Sequence, residues 1–64
     1  MSRRLVLEFP EEVQEKDLQD DEVLMKAKEA AVMELLRKGK ISQGKAGELL
    51  EISRHDLFDL MAKY

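Results

Sequence analysis

Few side chains here are of a type that makes or breaks bonds, and their spacing limits the chemistry sharply. With no cysteine in the chain, neither a disulfide nor a thiolate metal site can form. His55 is the sole histidine and cannot build a zinc cage alone. It has no thiol to activate, and no serine stands on a strand-to-helix elbow. Gly39, Gly44 and Gly47 fit neither standard phosphate-loop spacing. Acidic neighbours such as Asp20 and Asp21 serve as helix caps or solvated surface far more often than as metal ligands. An enzyme is not expected, nor is a bound metal or cofactor.

What remains is recognition chemistry, and the residues suited to it cluster late in the chain. Arg54 has the fork that reads guanine or grips a phosphate, and Phe58 can touch a thymine methyl. Lys40, Gln43 and Lys45 suit phosphate contacts, with Ser53 and His55 beside Arg54 completing the set. Two carboxylates, Asp56 and Asp59, oppose this by repelling phosphate. The net charge of -3 hides an asymmetry: residues 1–36 carry 5 basic and 10 acidic side chains, a balance of -5, and residues 37–64 carry 6 and 4, a balance of +2. The later part is therefore the end suited to approach an anion.

The element that must position these side chains is the stretch Ser42–Tyr64, SQGKAGELLEISRHDLFDLMAKY. Ser42 and Ser53 are N-cap residues, and Asp56 follows Ser53 at the capping-box spacing. Leu57, Leu60, Met61 and Tyr64 recur at helical intervals. Counted from Gln43 against a helix-turn-helix of about twenty residues, the fifth position, where the helices touch, is Gly47. The apolar positions are Leu50, Ile52, Leu57 and Leu60. The turn position that usually holds glycine is Glu51, where a side chain costs about 1 kcal/mol.

Upstream, Leu5, Leu7 and Phe9 alternate with Arg4, Val6 and Glu8 in the manner of a strand that Pro10 ends. No second strand is legible, so pairing with the same strand of a second copy is expected. The alternative is a disordered arm with Arg3 and Arg4 free to touch phosphate. A linker with at most a turn of helix follows. Next comes a long helix capped by Asp20 or Asp21, carrying Arg37 and Lys38 in its last turn and stopped by Gly39. Leu24, Met25, Ala31, Val32, Leu35 and Leu36 form its broad apolar face, with Lys28 projecting from the middle to snorkel past its neighbours or to meet a partner's acid. The expected architecture is one small, mainly α domain over residues 1–64: strand arm 1–10 with the strand about 3–9 paired across a homodimer, linker 11–19, long helix about 20–38, and helix-turn-helix 42–64 with helices about 43–50 and 54–63. The dimer interface is assigned to Leu5, Leu7, Phe9, Leu24, Ala31 and Leu35.

Size supports a dimer. A chain of 64 residues buries only about 60% of its unfolded surface, and entropy nearly cancels the gain. No apolar run approaches the roughly 18 residues of a membrane span, and the start lacks a signal-peptide core, so a cytoplasmic protein is expected.

The stretch LLRKGKISQGKAGELLEISRHDLFDLMAKY, above all Leu35–Leu60, resembles an uncharacterised family of short prokaryotic proteins regarded as predicted antitoxins with a helix-turn-helix, similar in role to VapB-type antitoxins. The matching runs are Gly39-Lys40-Ile41-Ser42, Lys45-Ala46 and Ile52-Ser53-Arg54, and LVLEFPEEV matches more loosely. The chain departs from that pattern at Glu51, where the family has glycine, and at His55, where it has an aromatic residue. It also ends at Tyr64, where members continue into a tail of the kind antitoxins use against their toxins. The resemblance implies a dimeric autorepressor of its own operon that binds double-stranded DNA and pairs with a toxin nuclease. Half-sites about 34 Å apart are then expected. Two alternatives stay open: an interaction module that binds a protein partner through its helical face without DNA, and a ribbon-helix-helix reading DNA through Arg4, Val6 and Glu8.

Overall fold

Local signals set the helix ends. In a computed structural model that describes residues 2–64, four helices follow in order: α1 Glu15–Leu18, α2 Asp21–Arg37, α3 Gln43–Leu50 and α4 Arg54–Met61. Three side chains cap the starts. Asp20 Oδ1 accepts the amides of Glu22 and Val23 at 2.8 and 3.3 Å, Ser42 Oγ accepts that of Lys45 at 3.1 Å, and Ser53 Oγ accepts that of Asp56 at 3.1 Å. α2 and α3 stop in the same way. Gly39, at φ 73, donates to Leu36 O while Lys40 donates to Leu35 O. Glu51, at φ 55, donates to Glu48 O while Ile52 donates to Gly47 O. Both are Schellman turns, in which a left-handed residue lets two amides cap the helix's last carbonyls.

The core sits where α2, α3 and α4 meet. Val32 and Met33 of α2, Ala46 of α3 and Leu57 of α4 are buried, Ala46 completely and Leu57 to 1% exposure. Leu36, Ile41, Leu49, Leu50, Ile52, Leu60 and Met61 pack around them half-buried. A Cβ on Gly47 would stand 3.3 Å from the Ile52 carbonyl oxygen, a contact so tight that a larger residue would push the second turn back by a few tenths of an ångström. A bond far apart in sequence closes the bundle: Tyr64 Oη donates to Glu29 of α2 at 3.0 Å. The phenol is held protonated above its ordinary range, mainly by that bond.

The strand expected over residues 3–9, and its pairing across a dimer, is overturned. Among the described residues there is no β-strand, and residues 2–9 are an exposed arm without regular structure. The expected arm began at residue 1; Met1 lies outside the described residues. The physical reason is that a ladder needs a second backbone, and this chain supplies none. The arm's alternation serves another end. Leu5, Leu7 and Phe9 turn toward α2 and, with Leu18, Val23 and Leu24, line an apolar trough of about 430 Å³.

Smaller differences are local. α2 starts after its cap, and α4 ends two residues before the expected 63, with Ala62 as C-cap. The linker holds α1, entered at Gln14 and not at Pro10, whose carbonyl accepts the Val13 amide in a turn. The broad apolar face of α2 is split. Val32 and Leu36 point into the core, whereas Leu24, Met25 and Leu35 stay exposed.

Candidate nucleic-acid interface

Helical periodicity gives α4 two sides. Leu57, Leu60 and Met61 face α2 and α3, and this leaves Arg54, His55, Phe58 and Asp59 on the outer face, all exposed. The Ser53 hydroxyl fixes the first turn by accepting the Asp56 amide, which leaves its own proton for another acceptor. Asp56 in that turn stabilises the helix through its dipole.

The seven candidate contact residues fall into two groups. Ser53, Arg54, His55 and Phe58 occupy the cap and first turns of α4. Gln43 opens α3, where it and Arg54 line the same shallow groove of about 360 Å³, floored by Gly44, Gly47 and Leu57. The hairpin thus brings Gln43 and Arg54 together although they are eleven residues apart. Lys45, in the first turn of α3, and Lys40, in the turn that precedes it, are both exposed.

The electrostatics of this surface are mixed. His55 Nδ1 lies 3.6 Å from Asp59 Oδ2, so one carboxylate of the outer face has a neighbour that is cationic when protonated. His55, Asp56 and Asp59 also bring potential ligand atoms within 4.8 Å of one another. All three are exposed, and one imidazole with two solvated carboxylates lacks the supporting shell of a metal site.

The six residues assigned to a dimer interface lie away from this surface. Leu5, Leu7, Phe9, Leu24 and Ala31 line the trough together, and Leu35 stands further along the same stripe of α2 outside it. Lys28 projects, exposed, between that trough and a second groove lined by Met25, Leu49, Ile52 and Leu60. Sequence reasoning did not find the Glu29–Tyr64 tie. Its partners are 35 residues apart, and no local pattern joins them.

The family model described as "Uncharacterised protein family (UPF0175)" matches residues 1–64. No curated protein and no solved structure matches the chain. Among the described residues no helix is long and apolar enough to cross a membrane.

Proposed function

We propose that this chain, which belongs to the uncharacterised protein family UPF0175, is a small homodimeric DNA-binding regulator, an antitoxin-like repressor of its own operon. The observation that carries this reading is the outer face of α4. Arg54, His55 and Phe58 project from the first turns of a capped helix and take no part in the core, and Arg54 shares a groove with Gln43 of α3. A short helix offering a guanidinium, an imidazole and an aromatic ring at its N-terminal end is suited to the major groove, with Lys40 and Lys45 on the backbone. The antitoxin role, with a toxin nuclease as partner, rests on the resemblance of Leu35–Leu60 to predicted antitoxins.

The test is a gel shift with the protein's own upstream DNA at low salt, where phosphate contacts are strongest. Arg54→Ala should weaken operator binding by about 1–3 kcal/mol and leave the helical circular dichroism unchanged. Absence of any shift at low salt would sink the reading.

A second reading is a protein-binding module that never touches DNA. Asp56 and Asp59 on the working helix favour it, because carboxylates there repel phosphate. Under it, Arg54→Ala leaves the affinity for upstream DNA at its non-specific level.

A further inference from the structure

The chain leaves more surface open than its mass predicts. A compact protein of 7.4 kDa exposes about 4,200 Å², whereas this chain exposes 5979 Å². Its radius of gyration is 13.3 Å, against about 10.7 Å for a compact chain of this length. The excess of about 1,800 Å² exceeds the roughly 800 Å² that each partner gives to a standard interface. Several exposed apolar side chains gather in one place. Leu5 is 70% and Leu24 53% exposed, and with Leu7, Phe9 and Val23 they line the trough between the arm and α2.

We infer that a second copy of the chain fills this trough, with the two α2 helices packed antiparallel about a two-fold axis. The charge on α2 selects that occupant and that direction. Its entry is acidic (Asp20, Asp21, Glu22); at its exit Arg37 is paired with Glu34 at 2.7 Å, and exposed Lys38 and Lys40 keep that end net positive. An antiparallel copy lays each acidic end on a basic one and opposes the helix dipoles, whereas a parallel copy sets acid on acid.

The steric pattern agrees. Leu24, Lys28, Ala31 and Leu35 form one stripe at intervals of four, three and four, roughly a quarter turn from buried Val32. With the axis midway between Lys28 and Ala31, Leu35 of one copy meets Leu24 of the other at the edge of its trough. Leu35 is 42% exposed and lies outside its own trough, so each copy supplies one knob and one hole. Ala31 meets Lys28, and its small side chain lets the lysine stem pass outward to water. Ala27 and Ala31 let the helices approach closely. No backbone ladder between the arms is involved. This pairing stands on α2 and the arm alone, whatever α4 binds.

Light scattering on the full chain across a dilution series should give twice the 7.4 kDa mass of one chain; a single-chain mass at every concentration overturns the inference. Leu35→Glu should raise the dimer dissociation constant by roughly 100-fold or more, since each substitution enters the interface twice. Helical circular dichroism should hold, because Leu35 is not in the buried core. Should that variant unfold, geometry gives an independent readout on a chain that has no cysteine of its own. Chains carrying Leu24→Cys and Leu35→Cys, mixed and oxidised, should join preferentially as the mixed pair. Preferential joining of like with like overturns the antiparallel pairing. Arg54→Ala should leave the mass unchanged, so failure of the DNA reading and failure of this one are told apart.

Discussion

The turns that end α2 and α3 have the same hydrogen bonds and different residues. In each, a left-handed residue follows the helix and two amides reach back to its last carbonyls, yet the first turn uses Gly39 and the second uses Glu51. In the second, the C-terminal neighbour Ile52 packs on the core and its carbonyl closes on Gly47 to a distance only glycine comfortably allows. In the first, the neighbour is exposed Lys40, and nothing stands near a Cβ placed on Gly39. The first turn is thus stabilised by backbone freedom, and the second is held by packing strongly enough to carry a residue that disfavours its conformation.

Substitutions can break that contrast. The largest expected effect is Ile52→Ala, which removes the packing that holds the strained turn and should destabilise the fold by about 2 kcal/mol, read from urea unfolding. Gly39→Ala meets no steric obstacle and should still cost about 1–1.5 kcal/mol from its backbone angle alone. Glu51→Gly should go the other way and stabilise by about 0.5–1 kcal/mol. If it did not, Glu51 would carry no strain for the packing around Ile52 to offset.

A smaller effect tests the tie at the end of the chain. The Tyr64 phenol is raised above its ordinary value of about 10, chiefly by donating to Glu29 and then by desolvation. A raised folded value means that its contribution is complete below the ordinary tyrosine range and is lost as pH climbs through the raised one. Tyr64→Phe should therefore lower stability slightly near neutrality and flatten the alkaline arm of the profile, so that thermal melts of the two proteins converge at high pH.

The two turns also mark where the sequence was legible. Caps and stops are local: Asp20, Ser42, Ser53 and Gly39 act on backbone groups within a few residues, and the three longer helices could be placed from them. Glu51 was readable as an irregular turn position because the spacing of Gly47, Leu50, Ile52 and Leu57 around it was intact. The arm was misread because alternation is a local pattern and a strand is not. Leu5, Leu7 and Phe9 alternate as a strand does, but what they meet is the side of a helix. The broad apolar face of α2 misled for a related reason. Counting residues around a helix shows which are apolar, and only tertiary packing decides that Val32 and Leu36 go inward while Leu24 and Leu35 do not. At the candidate interface, the outward residues of α4 were legible from periodicity. The groove that Gln43 shares with Arg54 depends on how α3 and α4 settle together.

The order of packing has a kinetic consequence. The extensive helix–helix contacts join neighbours in sequence, α1 with α2, α2 with α3 and α3 with α4. Such a topology closes only short loops on the way to the native state, and helical chains of this kind fold in microseconds to milliseconds. A newly made chain is therefore folded long before it meets another molecule at cellular dilution. For the dimer proposed above, the pace at which the paired form appears is then set by encounter between chains, and so by how much of the protein is present.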